Sequence, residues 1–334
     1  MPMATVPALS TSSVLGPFHL VHKPDSPETF LLDSGAPSCQ RFVFAAELPD
    51  EHALFGATGA AHHDLLMPVE ALRQAAVFAA RHYFRVPEKR LTVVAEAATG
   101  ITDVEPWRRT GHRAQIALEL DLTPTDMVLG VPRGLVCEAV VSIDGRPCGT
   151  ASARLVFLTP GIYRGHREAG RRQSEESLAR GFGDFGSPGR PEPSRVGHTE
   201  PRNVLVGLPV EDDDEVLLFP VDGAAAGGIL PGEPGELPAV LYLEASRQAG
   251  LIACAELYGF APDRSLLTGW QASFRGFAEP GLPLYCTVSG PRTDGAAAAT
   301  VRDAAGRPTT ALTLAFWQGD REVARISASV LQDC

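Results

Sequence analysis

Most of what this chain can fold into is constrained by one feature: it contains a repeat of itself. Residues 66–77 read Leu-Met-Pro-Val-Glu-Ala-Leu-Arg-Gln-Ala-Ala-Val, and residues 240–251 read Val-Leu-Tyr-Leu-Glu-Ala-Ser-Arg-Gln-Ala-Gly-Leu. Glu70, Ala71, Arg73, Gln74 and Ala75 match Glu244, Ala245, Arg247, Gln248 and Ala249 at one constant spacing (244 − 70 = 174). Self-similarity at that distance means two copies of one folding unit. A second match lies downstream, Asp144-Gly-Arg-Pro against Ala305-Gly-Arg-Pro. Each reads as a hairpin turn opening a final strand. The spacing there is shorter (306 − 145 = 161), so the second copy is expected to have a shorter middle.

Both copies run in the same order. An early strand is expected over 41–48 and again over 215–219. A long helix follows, about 65–84 and 239–258, and then several strands. The helices are rich in Ala and Leu and carry almost no charge beyond the matched Glu and Arg. A helix apolar nearly all round is buried, so the strands must curl about it. The expected fold class is therefore α+β: two tandem repeats, each with a long central helix wrapped by a curved antiparallel sheet. The 334 residues suit two domains, and the 44% apolar content suffices for two cores. The stretch 163–194 is full of Arg, Gly, Pro and Ser, which reads as a linker or loosely ordered connection. The expected division is an N-terminal unit over 1–162, a linker over 163–200 and a C-terminal unit over 201–334.

The formal charge of −11 argues against a nucleic-acid partner. The N-terminal residues lack the charged and apolar regions of a signal peptide, and no apolar run reaches the roughly 18 residues of a membrane span. A cytoplasmic protein with no membrane association is expected. The six cysteines form no Cys-x-x-Cys pair and have no histidines at zinc spacing, so free thiols are expected; Cys137 and Cys148 fall in strand-like segments and could be neighbours. No Walker loop and no Gly-x-Ser-x-Gly elbow is present, and no cofactor or metal is expected.

The chemistry-bearing candidates are the two Glu-x-x-Arg-Gln sets. On a helix, positions i, i+3 and i+4 share a face. Glu70, Arg73 and Gln74 therefore form one polar patch, and Glu244, Arg247 and Gln248 another. The structural alternative is a buried ion pair that anchors each helix. Asp64 is placed to cap the first helix, and His62 and His63 could assist the first site or serve the loop.

Two resemblances sharpen this reading. The segment 238–244, Pro-Ala-Val-Leu-Tyr-Leu-Glu, is similar to the helix entry of hotdog dehydratases, but Leu218 stands where their catalytic His precedes Phe-Pro. Dehydration is disfavoured on that ground. Val21-His22-Lys23, His62-His63-Asp64-Leu65-Leu66 and the doubled Glu-Ala-x-Arg-Gln-Ala resemble the A-factor biosynthesis family of γ-butyrolactone autoregulator synthases, built as a double hotdog. The resemblance covers both halves but not the linker.

It implies an acyltransferase moving a β-ketoacyl chain from acyl carrier protein to the hydroxyl of dihydroxyacetone phosphate or a similar small alcohol. The ester would lead to a γ-butyrolactone or furan signal. It also implies Glu244, Arg247 and Glu70 as catalytic residues. Arg73, Gln74, Gln248, His62 and His63 would line the substrate. The family's Asp-His-Pro-x-Asp-His stretch is here Leu-Phe-Pro-Val-Asp-Gly over 218–223, without either histidine.

In the mechanism expected from these residues, a dry Glu244, or secondly Glu70, has a raised pKa and takes the acceptor's proton. Arg247 holds the phosphate or fixes the carboxylate. Backbone N–H groups near 238–240 or 66–69 supply an oxyanion site. Acidic carrier protein would dock on Arg108, Arg109 and Arg113, or on Arg164, Arg167, Arg171 and Arg172, if those are more than solvated loop charges. The alternatives are a hotdog thioesterase, with water as acceptor, or a non-catalytic acyl-binding or regulatory protein. A fused pair already makes the contact single hotdogs make by dimerising, so either monomer or homodimer fits.

Overall fold

The computed structural model describes residues 33–35, 41–48, 61–111, 113–181, 189–211, 216–223, 237–291 and 300–333. The first repeat contains β1 (Asp33–Gly35), β2 (Arg41–Glu47), α1 (Leu66–His82), β3 (Leu91–Ile101), β4 (Gln115–Thr125), β5 (Gly134–Ile143) and β6 (Arg146–Leu158). A connecting helix, α2 (Pro160–Ala179), leads to the second. That repeat contains β7 (Val210–Glu211), β8 (Leu217–Val221), α3 (Ala239–Tyr258), β9 (Ser265–Phe274), β10 (Leu284–Ser289), β11 (Val301–Arg302), β12 (Pro308–Gln318) and β13 (Arg321–Gln332).

One antiparallel sheet runs through both repeats in the order β1-β2-β4-β5-β6-β3-β9-β13-β12-β10-β8-β7, with β11 paired to β12. The repeats meet where β3 pairs β9, Ala98 opposite Gln271. Outward from that seam the two halves mirror each other: β3, β6, β5, β4, β2 on one side and β9, β13, β12, β10, β8 on the other. This is the double hotdog expected from the duplication.

Pattern and packing agree within each half. Along β4, Ile116, Leu118, Leu120 and Leu122 are buried while Gln115, Glu119, Asp121 and Thr123 are exposed, the two-residue period of a one-sided strand. Leu72, Ala75, Ala76 and Ala79 of α1 are wholly buried, as are Leu241, Ala245, Ala249 and Ile252 of α3. Alanine at so many inward positions lets each sheet close tightly on its helix. Emptying one such position, as in Leu72→Ala, would cost about 3 kcal/mol. Helix α3 stops at Gly259, which takes the left-handed conformation (φ 69°) while Phe260 N–H bonds Cys254 O.

Three expectations need correction. Asp144 and Gly145 (φ 48° and 76°) do form the tight β5–β6 turn. However, Gly306 lies between β11 and β12, so it opens the penultimate strand. The true counterpart of Gly145 is Gly319 between β12 and β13, at the spacing of the helices (319 − 145 = 174). The second copy has no shortened middle.

Next, the connection is helical over Pro160–Ala179 rather than loosely ordered. Its buried seam is Tyr163, half-buried Arg167, then Gly170, Ser174 and Ser177. Tyr163 packs edge-on to Phe277, Arg167 Nε donates to Glu279 (2.9 Å), Ser174 Oγ donates to Gln318 O (3.2 Å), and Asp320 N–H donates to Ser177 Oγ (2.7 Å). Small residues that suggest a flexible linker are here positions of close approach.

Finally, Cys137 lies opposite Ala153, so it does not neighbour Cys148. Cys137, Cys148, Cys254 and Cys286 are buried free thiols, and Cys39 and Cys334 lie outside the described residues.

Candidate active site between the repeats

Helix α3 carries Glu244, Arg247 and Gln248 on one face, and the fold wraps that face completely at Glu244. The Glu244 side chain is 0% exposed, yet it is satisfied. Arg247 Nη2 donates to Oε1 (2.6 Å) and Arg247 Nε to Oε2 (2.8 Å). Gln248 Nε2 donates to Oε1 (2.7 Å), and His198 Nε2 stands 2.7 Å from the same oxygen. His198 comes from the segment after α2. There the short helical turn Pro193–Val196 ends at Gly197 in the left-handed conformation (φ 70°). Gly197 lets the backbone pass the guanidinium: a Cβ there would sit 2.9 Å from Arg247 Nη1.

A fourth ionisable group arrives from the other repeat. Asp64 Oδ2 lies 3.5 Å from Arg247 Nε. Asp64 is held by the start of α1, where Leu66 N–H donates to its Oδ1 (2.8 Å) and Met67 N–H to its backbone carbonyl (3.2 Å). The expected cap is thus displaced by one residue, since Leu65 occupies the N-cap position and Asp64 holds Leu66 from just outside. It also leaves the Leu66 and Met67 N–H groups engaged, which removes them from any oxyanion role. The position equivalent to Asp64 in the second repeat is Pro238 (64 + 174 = 238), which has no carboxylate.

The electrostatics reverse one expectation. Burial pushes the Glu244 carboxyl up, but Arg247 and the His198 contact outweigh it and hold the group at about 2, well below the usual 4.5. Glu244 is therefore a fixed anion, not a base waiting for a proton. Burial of Arg247 works against its charge and is outweighed by Glu244, so its pKa is raised. Asp64 is the carboxyl that moves upward. Burial and the nearby Glu244 raise it, against Arg247 and the Leu66 N–H. Arg247 keeps 11% of its side chain at the surface, so the cluster as a whole is nearly closed from solvent.

The matched set on α1 is built alike and is more open. Arg73 Nε donates to Glu70 Oε2 (2.9 Å), and Gln74 Nε2 to Oε1 (3.3 Å), with Arg73 29% exposed. Gln248 is not available to a substrate in this arrangement. Its Oε1 accepts Leu205 N–H (2.8 Å), and its Nε2 serves Asn203 O (2.8 Å) besides Glu244. It fastens the 203–205 segment to α3. His62 joins a different cluster, 3.4 Å from Asp333, which also pairs with Arg108 and Arg307. Burial lowers the His62 pKa, with Asp333 opposing. His63 is buried, and its N–H bonds Trp107 O (2.8 Å).

Among the arginines considered for docking, Arg108 is tied to Asp333 and Glu105, Arg167 to Glu279, and Arg171 to Glu175. Arg113 lies 3.7 Å from Glu47, while Arg164 and Arg172 are exposed. Burial pushes the Cys137 and Cys254 thiols up to about 12 and Cys148 to about 11, which keeps them protonated. Among the described residues no group of three or more His, Cys, Asp or Glu could hold a metal ion, and no helix is long and apolar enough to cross a membrane.

His198 is the site residue that sequence reasoning missed, along with the partnership of Asp64. The second site does contain an imidazole, although Leu218 is not it. The repeat held a signal for it: Val21-His22-Lys23 lies 48 residues before Glu70 (70 − 22 = 48), and Gly197-His198-Thr199 lies 46 before Glu244 (244 − 198 = 46). Residues 21–23 are outside the described residues.

The family described as "AfsA: A-factor biosynthesis hotdog domain" matches residues 17–159 and again 188–331. The 2-oxo-3-(phosphooxy)propyl 3-oxoalkanoate synthase of Streptomyces coelicolor is 24% identical over 243 residues, 71% of each chain. Among solved structures, a putative thioesterase from Novosphingobium aromaticivorans is 12% identical with TM-score 0.43, covering 90% of this chain and 98% of that one. The 12:0-ACP thioesterase from Umbellularia californica is 11% identical with TM-score 0.45, covering 86% and 93%.

Proposed function

Since the chain belongs to the A-factor biosynthesis hotdog family, with one match in each repeat, we propose that it is an acyltransferase joining a β-ketoacyl group to a small phosphorylated alcohol. The acyl donor is a thioester on acyl carrier protein and the acceptor is dihydroxyacetone phosphate or a close analogue. The product is a 3-oxoacyl ester that can cyclise toward a γ-butyrolactone or furan signal. The synthase from Streptomyces coelicolor bears the name of such an ester, which supports this choice of substrates.

The observation that carries the reading is the ion cluster in which His198, Glu244 and Arg247 of the second repeat meet Asp64 of the first. Inert packing does not need four ionisable groups converging at a seam, and their arrangement fixes both charge and tautomer. Arg247 acts by fixing Glu244 rather than by holding phosphate. With two carboxylates already beside it, a phosphate dianion would add a third negative group to one guanidinium. The start of α3, whose N-cap Pro238 has no side-chain cap, is the remaining place for an oxyanion site. Transfer from thioester to ester needs no nucleotide and no covalent enzyme intermediate.

The test supplies β-ketoacyl carrier protein with and without dihydroxyacetone phosphate and follows products by mass spectrometry. The expected result is an ester that forms only when the acceptor is present. Free β-keto acid released equally in both reactions would replace the transferase reading with a thioesterase.

A further inference from the structure

The proposed transfer needs a base for the acceptor hydroxyl, and Glu244 is held too firmly as an anion to be one. We propose that His198 takes that proton, with Glu244 as the positioning residue that holds its ring. The inference rests on the transferase reading above and concerns a residue outside the helix signature.

The geometry fixes the tautomer. His198 Nε2 lies 2.7 Å from Glu244 Oε1, and two lone pairs cannot face each other at that distance. Glu244 carries no proton, so the hydrogen sits on Nε2. Arg247 Nη2, 2.9 Å from the same nitrogen, can only donate, and it has Oε1 as its acceptor. The imidazole is therefore an Nε2–H donor to a buried carboxylate, and its lone pair is on Nδ1. Glu244 holds the ring by Nε2 and offsets the charge of the imidazolium that forms when Nδ1 takes a proton. Arg247 and Asp64 complete the charged surroundings: the guanidinium opposes imidazolium formation, and Asp64 favours it once ionised.

The step balances. His198 Nδ1 takes the hydroxyl proton as the acceptor oxygen bonds to the thioester carbonyl carbon. The tetrahedral intermediate collapses, the C–S bond breaks, and the leaving thiolate takes the proton from Nδ1. Ester and free thiol leave, and His198 is again neutral.

The test uses the full chain with β-ketoacyl carrier protein and dihydroxyacetone phosphate. His198→Gln keeps an N–H for Glu244 but has no basic nitrogen. Its ester-forming kcat is expected to fall roughly 100-fold or more, with the acid-side decline of the wild-type pH–rate profile lost and a circular dichroism spectrum like the wild type. Added imidazole is expected to restore part of the rate to His198→Ala. A folded His198→Gln variant that makes ester at the wild-type rate, with an unchanged pH profile, would overturn the inference and leave the transferase reading intact. Wild-type protein that forms no ester would overturn both.

Discussion

Replacing Glu244 with Gln tests the buried cluster through stability alone, independently of any substrate. The carboxylate receives two bonds from Arg247, one from Gln248 and one from His198, all at 2.8 Å or less. A Gln side chain fits the space but presents an N–H toward one of these donors and leaves Arg247 short of a counter-charge. Removing one partner of a buried pair costs about 3–5 kcal/mol. Asp64 remains 3.5 Å from Arg247, so the lower end, about 3 kcal/mol, is expected. Linkage gives a similar figure, since the fall of the Glu244 carboxyl from 4.5 to about 2 corresponds to about 3 kcal/mol.

For a chain of this size that means a melting temperature lower by roughly 4 °C at pH 7. The pH dependence has a definite sign. A depressed carboxyl stabilises the fold fully above its unfolded value and loses that stabilisation as pH falls through its folded value. The gap between wild type and variant should therefore be full above pH 4.5 and close as pH falls toward about 2. Thermal melts followed by circular dichroism across that range measure it. A variant melting within about 1 °C of wild type at pH 7 would refute the argument, as would a gap that acid does not close.

Three other substitutions probe the same cluster. Arg247→Lys keeps one charge but cannot span both Glu244 oxygens, so ester formation is expected to fall on the order of 100-fold from misplacement of the ring and carboxylate, read as kcat/KM. Asp64→Asn keeps the acceptor for Leu66 N–H and removes a charge that burial disfavours. Because a raised carboxyl adds stability only at low pH and loses it as pH rises, this variant should lie within about 0.5 kcal/mol of wild type at pH 7 in urea unfolding, whereas Asp64→Ala should lose about 1 kcal/mol. Gly197→Ala forces a side chain into φ 70° and places Cβ against Arg247 Nη1, so about 1–2 kcal/mol of stability should go, together with a loss of activity beyond what the unfolded fraction explains.

The parts of this molecule that were legible in the sequence are those whose signal is local. Both long helices announce themselves by composition and by their shared motif. Asp144-Gly145 is a turn that only residues tolerant of positive φ can make. Helix α2 was hidden because its seam is made of Gly, Ser and a paired Arg, so no apolar period marks it. The 161-residue spacing misled because Gly-Arg-Pro recurs in two unrelated turns. Glu244 and Arg247 were legible as a pair, but the carboxyl's acidity was not. A buried carboxylate alone should rise, and the fall depends on Arg247 one turn along the helix and on His198, which sequence places far from it.

Duplication also explains why the two helix sets need not do the same work. In a symmetric dimer of single repeats, every residue given to one site would be given to the other. A fused chain escapes that bond, and this one has used the freedom: Asp64 and Pro238 occupy the same repeat position, so only Arg247 gains a carboxylate from it. Arg73 is correspondingly more exposed, at 29% against 11% for Arg247. The chemistry should then be concentrated at Glu244, with the Glu70 set supporting the seam. Glu70→Gln is expected to retain most of the ester-forming rate, while Glu244→Gln loses most of it at the same temperature and folded fraction. Equal losses at the two positions would mean that the repeats still share the reaction.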